Sequence, residues 1–350
     1  MPLFKDLNIG YAPANNSLFD EPSDYRRFAG YAKLRGFKFE IANHKKKYDL
    51  VVVNQMADIS IWKNYPHGKV IYDLIDSYLV IPDWNYRSMF RGISKFIFGQ
   101  NQRLCLDYKR CIQDMCTRSD AVICVTEQQK LSIEPYCSNV FTILDVQDSV
   151  VTSKKNNYKI TSPVKLVWEG LPDNMYQLLA IRDILNNLNN EFDIELHIVT
   201  NPTGYRFLGK YGKFSSIEFA KNIFHNTVFH IWEKETFSSI VSNCDIAIIP
   251  IDLENPFTMG KPENKLLLLW RVGMPVIVSN TPAYAKCMER AGMDLVCSSI
   301  HEWEEKLRYL ITNIHARENS GVAGRDYVNQ NVNQESILNS WDTAIDSILG

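Results

Sequence analysis

Basic, acidic and amide side chains come together at the expected start of one helix in the second half of the chain. Lys261, Glu263, Asn264 and Lys265 precede Leu266–Val272, an apolar run with helical spacing. Side chains of these types bind phosphates and ribose hydroxyls, and a helix N-terminus adds free N–H groups and partial positive charge. The stretch predicts a sugar-nucleotide site, with the two lysines on the diphosphate and the other two side chains on the ribose.

Each of these four side chains also has an explanation that requires no ligand. Lys261 and Lys265 would then be solvated lysines beside the first helical turn. Asn264 would cap the helix, and Glu263 would interact favourably with the helix dipole. The residues alone leave both explanations open.

Three further candidates for nucleotide contacts lie at strand ends and in a loop. Gly170 follows a predicted strand, where a missing side chain lets backbone approach a ligand or simply forms a turn. Trp232 ends another strand, where its indole stacks on the base or packs in the core. Arg206 and Lys210, in the loop Thr203–Phe214, supply further cations, although the loop lacks phosphate-loop spacing and is otherwise an ordinary surface loop.

A basic and aromatic segment in the first half has helical periodicity. One helical face carries large apolar side chains, among them Phe90, and another carries Arg87, Arg91 and Lys95 at intervals of four residues. This pattern is typical of a helix that lies on an anionic membrane surface. We therefore predict a contact with membrane lipid or a lipid-linked acceptor; the alternative is a surface helix packed on its own sheet.

Nothing in the sequence indicates a bound metal or cofactor. The seven histidines have no partner spacing typical of a metal site or catalytic triad, and no Asp-x-Asp motif stands in a plausible loop. His230 lies in a predicted strand and is expected to be a buried, hydrogen-bonded imidazole. The eight cysteines form no Cys-x-x-Cys pair, so we expect reduced thiols in the core.

Composition limits the class of protein. The chain is 45% hydrophobic and 22% charged, which is typical of a globular protein, and its 350 residues fit two domains. A net charge of −2 gives no sign of nucleic-acid binding. The first residues lack a signal-peptide pattern and no run reaches about 18 apolar residues, so we predict a cytoplasmic protein.

Short Val- and Ile-rich runs alternate with amphipathic stretches in two successive blocks. Such runs favour strands that are buried on both faces of a parallel sheet. In the first block they are Asn8–Ala12, Phe37–Ala42, Asp49–Val53, Lys69–Leu74, Ala121–Thr126 and Val140–Leu144. In the second block they are Val164–Trp168, Ile194–Thr200, Val228–Trp232, Asp245–Ile251, Pro275–Ser279 and Asp294–Cys297.

The two blocks predict two α/β domains. Ser149–Pro163 is polar and lacks periodicity, so we interpret it as the linker. Residues 1–152 and 160–332 are then Rossmann-like domains, each with a doubly wound parallel sheet. Ligands of such sheets bind beyond the carboxyl ends of the strands, and two facing domains make the cleft between them the expected site.

Six segments that follow one another over nearly the whole chain carry a family resemblance. They are Lys69–Asp76, Ser119–Thr126, Val164–Gly170, Phe229–Trp232, Asp245–Pro250 and Lys261–Ser279. In order and spacing they resemble the GT-B glycosyltransferases, most of all the retaining enzymes of family 4, also called glycosyltransferase group 1.

The resemblance implies that the two domains bind different substrates. It places the donor nucleotide sugar on the C-terminal domain, the acceptor on the N-terminal one, and the closing helix, residues 333–350, back on the first domain. It also implies no bound metal. Asp76 occupies the place where related enzymes present a polar residue to the sugar, so we expect a catalytic or acceptor contact; the alternative is a cap on the next helix.

Two departures from the family pattern concern the donor site. The glutamate that usually binds the ribose corresponds to Leu268, and its partner eight residues earlier corresponds to Gly260. Glu263, or else Glu254 in the preceding loop, is the expected substitute, with Glu263 favoured. The segment Trp168–Asn174 also lacks the cations that often hold the diphosphate.

The expected function is transfer of a sugar from a nucleoside-diphosphate sugar to a glycan or lipid-linked acceptor, with retention, in bacterial cell-surface polysaccharide or glycoconjugate biosynthesis. Lys265 is the expected catalytic cation, and the basic segment is a candidate contact to the inner face of the membrane. Two alternatives remain: a GT-B sugar-nucleotide epimerase, and an inactive sugar-nucleotide binding or scaffold protein.

Overall fold

The computed structural model describes residues 4, 6–14, 19, 21–80, 86–207 and 211–350, and for residues 86–89, 206 and 207 it describes the backbone alone. The chain divides into two compact units. The first comprises Met1–Val146 and Gln334–Gly350, and the second comprises Gln147–Asn333.

The first unit is built on a parallel sheet in the order β2-β1-β3-β4-β5-β6. Its strands are β1 (Ile9–Ala12), β2 (Glu40–Ile41), β3 (Leu50–Asn54), β4 (Lys69–Asp73), β5 (Ala121–Cys124) and β6 (Val140–Thr142). Its helices include α1 (Pro22–Tyr25), α2 (Phe28–Arg35), α3 (Ile59–Trp62), α4 (Tyr86–Ile97), α5 (Tyr108–Arg118) and α6 (Glu127–Ile133), with a 3₁₀ helix at Tyr78–Val80. Residues of β3 and β5 are buried throughout, as expected for strands covered on both faces.

The second unit has a parallel sheet in the order β11-β8-β7-β12-β13-β14 and an antiparallel hairpin, β9-β10. The strands are β7 (Val164–Glu169), β8 (Ile194–Thr200), β9 (Thr203–Phe207), β10 (Tyr211–Ser215), β11 (Thr227–Ile231), β12 (Ile246–Ile249), β13 (Val276–Ser279) and β14 (Val296–Cys297). The helices include α7 (Arg182–Phe192), α8 (Ser216–Ile223), α9 (Lys234–Ser242), α10 (Pro256–Met259), α11 (Asn264–Val272), α12 (Pro282–Arg290), α13 (Ile300–Thr312) and α14 (Ile314–Asn331), with 3₁₀ helices at Asp148–Val150 and Pro172–Ile181.

The predicted fold class, two Rossmann-like α/β domains, is confirmed. Each run predicted as a strand overlaps one, although several strands are shorter than their runs and three extend one residue beyond them. The prediction of a plain loop at Thr203–Phe214 is wrong, because this segment contributes to the β9-β10 hairpin. Gly204 permits the hairpin, since a Cβ there would lie 2.2 Å from the Phe214 ring and 2.7 Å from Pro172.

The polar segment interpreted as a linker packs onto the second unit. The backbone N–H of Lys155 donates to Val272 at 2.7 Å, and its ammonium donates to the carbonyl of Cys244 at 2.6 Å. The Tyr158 hydroxyl donates to the carbonyl of Gly273 at 2.9 Å. The segment is therefore part of a packed unit that begins at Gln147.

The C-terminal helix α15 (Gln334–Leu349) belongs to the first unit. Trp341 is fully buried, stacks on Tyr31 with ring centroids 5.4 Å apart, and lies 5.8 Å from the Phe28 ring. The Tyr31 hydroxyl donates to Asp342 at 2.7 Å, and Arg35 forms an ion pair with the same carboxylate. The apolar stripe of this helix is thus buried against α2.

Candidate functional site

The topology of the second sheet marks one place for a ligand. From β7 the chain moves to β8 and β11 on one side, and then to β12, β13 and β14 on the other. Parallel sheets bind ligands beyond the carboxyl ends of the strands at such a reversal. Gly170 follows β7 there, and Lys261 and α11 follow β12.

Lys265, in the first turn of α11, reaches this place. Its Nζ lies 4.7 Å from the centre of the Trp168 indole, which is a cation–π contact. Burial lowers the pKa of Lys265, and the charge of Glu169 partly counteracts that shift. Among the described residues this ammonium donates no hydrogen bond. A bound anion would accept one from it and favour its charged form.

The other predicted residues of the helix start lie around it. The Lys261 ammonium donates to Asn174 at 2.6 Å and ties the loop before α11 to the segment after β7. Glu263 is the residue that precedes α11, and Asn264 begins the helix. The carbonyl of Asn264 accepts a hydrogen bond from Gln147 at 2.9 Å, which holds the helix start in place.

Gly170 leaves room for the ammonium. A Cβ at this position would lie 2.7 Å from Nζ of Lys265 and 2.8 Å from the Trp168 ring, closer than real Cβ contacts come. The carbonyl of Gly170 accepts a hydrogen bond from the Thr200 hydroxyl at 2.6 Å. The glycine is therefore required by close packing at the end of β7.

Trp232 and Arg206 lie farther along the same half of the sheet. Trp232 follows β11, its backbone N–H donates to Thr200 at 3.1 Å, and its ring packs 6.1 Å from Phe237. Since β11 is two strands from β7, the backbone at the end of β11 is about 10 Å from that at the end of β7. Arg206 lies in β9, but its side chain, like all of Lys210, is outside the described structure.

Two partners of Lys265 at this edge, one aromatic and one acidic, were not predicted from the sequence. The Lys265 ammonium lies over the Trp168 ring, and the charge of Glu169 acts on its pKa. Burial raises the pKa of Tyr284, and Glu263 and Glu169 raise it further, so both carboxylates lie near this tyrosine. Among the described residues, no three His, Cys, Asp or Glu side chains group as metal ligands.

In the first unit, Asp76 is held after β4 by a glutamine. The side-chain oxygen of Gln55 accepts from the backbone N–H of Ile75 and of Asp76, at 2.9 and 2.7 Å, and its amide donates to the Asp76 carboxylate at 2.8 Å. Arg91 donates to the Tyr78 hydroxyl at 2.5 Å; burial raises the pKa of that hydroxyl, and the charge of Asp76 raises it further. The carboxylate is thus fixed and partly exposed.

The two described basic side chains of α4, Arg91 and Lys95, are directed inward, contrary to the membrane prediction. Lys95 is only 2% exposed, and its ammonium donates to the Tyr108 hydroxyl at 2.6 Å. Arg91 lies 4.5 Å from the centre of the Tyr78 ring. Cations over tyrosine rings are stabilised by the ring quadrupole, which explains why this face packs inside. Lys95 therefore cannot bind lipid headgroups, and the side chain of Arg87 is outside the described structure.

The outer side of α4 and the following loop is apolar. Phe90 is 62% exposed and Ile97 is 68% exposed. We call the set of exposed large side chains here the apolar patch; it consists of Phe90, Phe96, Ile97, Phe98, Leu104 and Leu106. In the part of the chain that is described, no helix is long and apolar enough to cross a membrane.

Comparison with known proteins shows similarity of fold. No family model matches the chain, and no curated protein matches its sequence. WaaG, a glycosyltransferase involved in lipopolysaccharide biosynthesis, superposes with a TM-score of 0.60 at 12% identity, over 98% of this chain and 100% of WaaG. Sucrose-phosphate synthase from Thermosynechococcus elongatus gives 0.58 at 12% identity, over 95% of this chain and 79% of that protein.

TarM gives a TM-score of 0.58 at 13% identity over 84% of this chain and 54% of TarM, so the chain spans about half of TarM's length. These solved structures share two Rossmann-like units with the chain. At such low identity the similarity establishes architecture. The chain has the GT-B fold.

Proposed function

We propose that this chain is a glycosyltransferase that takes a sugar from a nucleoside-diphosphate donor. The observation that carries the proposal is the ammonium of Lys265, which lies over Trp168 beside Gly170 at the reversal point of the sheet. A diphosphate there would meet this cation and the N-terminus of α11. The proteins of known structure with this fold include UDP-sugar enzymes, such as one solved with UDP-2-fluoro glucose.

The reaction requires the protein to stabilise a leaving group. The acceptor hydroxyl oxygen bonds to the anomeric carbon while the bond from that carbon to the phosphate oxygen breaks, and the diphosphate leaves with the electron pair. For transfer with retention, the acceptor proton passes to a phosphate oxygen of the donor. We assign charge stabilisation to Lys265 and the start of α11, with no resident metal, and a sugar contact to Asp76.

An inactive sugar-nucleotide binding protein is the second candidate, and one observation favours it. Leu268, at the family's ribose-binding position, is buried in the core and offers no polar group. Binding of a nucleotide without turnover of any acceptor would identify such a protein. An epimerase would instead change the donor with no acceptor present, which NMR of the product would reveal.

The test is a thermal-shift panel of UDP, GDP, CDP, ADP and dTDP. We expect one of them to stabilise the protein, and Lys265→Met to weaken its binding about 10- to 150-fold, the effect of losing a hydrogen bond to a charged group. Lys286→Met, an exposed lysine of the same unit, is the control and should bind as wild type. Absence of any shift, or equal binding by both variants, would refute the assignment.

We further propose that the protein works in the cytoplasm on a lipid-linked glycan of a bacterial surface, with the apolar patch inserted in the membrane. From Trp84 through Leu106 the sequence has no acidic residue, and Arg103 is an exposed cation beside the patch. Exposed phenylalanine and leucine next to basic residues suit an anionic bilayer surface. All eight cysteines are described, buried and free, which supports a reducing compartment.

Co-sedimentation with vesicles tests this part. The variant Phe90→Glu/Ile97→Glu should lose binding to mixed phosphatidylglycerol and phosphatidylcholine vesicles, and binding by wild type should persist at high salt because insertion is mainly apolar. Leu131→Glu is the control, since Leu131 is 69% exposed on α6 outside the patch. If the double variant sediments with the vesicles as wild type does, membrane insertion is contradicted. The donor-binding proposal does not depend on this result.

A further inference from the structure

The second unit has a pocket beside the candidate donor site. It is formed by the 3₁₀ helix after β7, by the β9-β10 hairpin and by α8, and its volume is about 280 Å³. The lining residues are Pro172, Asp173, Tyr176, Tyr205, Phe214 and Phe219. The absence of a side chain at Gly204 lets the Phe214 ring lie across the hairpin and form one wall.

The lining combines aromatic rings with one carboxylate. Phe214 and Phe219 meet edge to face with centroids 6.2 Å apart, and Tyr176 and Tyr205 complete the aromatic surface. Asp173 accepts a hydrogen bond from the backbone N–H of Tyr205 at 3.3 Å, which orients the carboxylate and leaves its other oxygen for a ligand. Among the described side chains that line the pocket none is basic, and the Asp173 carboxylate would repel a phosphate group.

We propose that this pocket binds one sugar ring of a carbohydrate. A pyranose has an apolar C–H face, which packs on aromatic rings, and hydroxyls at its edge, which donate to a carboxylate. The volume lies just below the range of about 300–1,000 Å³ that drug-sized ligands fill, so it suits a single ring. An organic cation could also lie among aromatic rings, and it is the competing outcome of the test.

The position of the pocket indicates which substrate the bound sugar would belong to. Asn174, the neighbour of Asp173, accepts the hydrogen bond from Lys261 at the start of the donor helix. A sugar in the pocket would therefore lie next to the donor-binding loop and would belong to the glycan acceptor, an assignment that rests on the proposed function. Binding of the sugar itself depends only on the pocket.

The experiment is titration by saturation-transfer NMR with methyl glycosides of hexoses and N-acetylhexosamines, and with choline. We expect one glycoside to bind, and Tyr176→Ala and Asp173→Asn each to weaken it about tenfold, the effect of losing one hydrogen bond or aromatic contact. Tyr309→Ala, at a tyrosine 51% exposed elsewhere in the unit, is the control and should bind as wild type. Because Asn has nearly the same shape as Asp, we expect Asp173→Asn to fold as wild type, so its loss of binding would report the missing charge.

Choline binding without glycoside binding, no glycoside binding at all, or equal losses in Tyr309→Ala would each overturn the proposal. The nucleotide panel is run on the same samples. Nucleotide stabilisation with no glycoside binding refutes the sugar pocket alone, whereas glycoside binding with no nucleotide stabilisation refutes the donor assignment and supports the pocket.

Discussion

The burial of Lys95 predicts how the free energy of unfolding changes with pH. Desolvation lowers its pKa from 10.5 to about 8, and Arg91 adds to the effect, while Asp58, Cys105 and Cys111 oppose it. Between pH 8 and 10.5 the unfolded chain holds a proton on this lysine and the folded protein does not. The free energy of unfolding therefore rises with pH across this window, by about 3 kcal/mol for a shift of 2.5 units.

Replacement of Lys95 by Met removes this contribution. We expect the difference in unfolding free energy, wild type minus Lys95→Met, to increase by about 3 kcal/mol from pH 7 to pH 10.5. Urea unfolding followed by circular dichroism at half-unit steps measures it. Lys38→Met, at an exposed lysine of the same unit, should give a constant difference.

The neighbours do not obscure the result. A hydrogen bond with Cys111 lowers the pKa of Cys105 and burial raises the pKa of Tyr108, so both pKa values move away from this window. Parallel stability profiles for wild type and Lys95→Met would refute the reasoning, because they would mean that the ammonium stays charged in the folded protein.

Three further substitutions test buried contacts. Arg27→Met should lower the free energy of unfolding by about 3–5 kcal/mol, because the fully buried Asp73 loses its 2.6 Å ion pair, and adding Asp73→Leu should restore most of it; urea unfolding of both variants decides this. Arg271→Met removes two hydrogen bonds of a buried guanidinium and should cost about 2 kcal/mol by the same measurement, and a loss below 0.5 kcal/mol would contradict the expectation. Gly170→Ala should displace the ammonium of Lys265 and weaken nucleotide binding as Lys265→Met does, and wild-type binding in the thermal-shift panel would count against the site geometry.

The sheets could be predicted from sequence because their signal is local. A run such as Leu50–Asn54 is apolar at nearly every position, which only a strand covered on both faces requires. The hairpin could not be predicted in this way. Its strands are mixed in polarity, and its form depends on Phe214 and Pro172 both packing against Gly204, although Pro172 is distant along the chain.

Helix α4 shows a second kind of feature that the sequence does not predict. Periodicity identified the helix and the residues that share a face, but it does not say which face is inward. Arg91 and Lys95 turn inward because Tyr78 and Tyr108 offer rings and hydroxyls, and the spatial position of those tyrosines is set by the fold. The rule that charged faces are solvated is therefore wrong for this helix.

The donor site stays a prediction, and the burial of α11 limits which residues could contribute to it. Leu266 through Val272 are all buried, so α11 beyond its first turn belongs to the core. A carboxylate for the ribose must therefore come from before Leu266 or from the end of β7. Glu263 and Glu254 both precede Leu266, but Glu263 lies at the helix start near Tyr284, whereas Glu254 lies exposed in the preceding loop.

The choice between these two glutamates can be measured. Glu263→Gln should weaken binding of the nucleotide found in the panel about tenfold, since a hydrogen bond from ribose to a charged group is lost. Glu254→Gln is the matched control and should bind as wild type. If Glu254→Gln loses affinity and Glu263→Gln does not, the ribose lies over the loop before α10, and the diphosphate would then lie too far from Lys265 for the charge stabilisation proposed above.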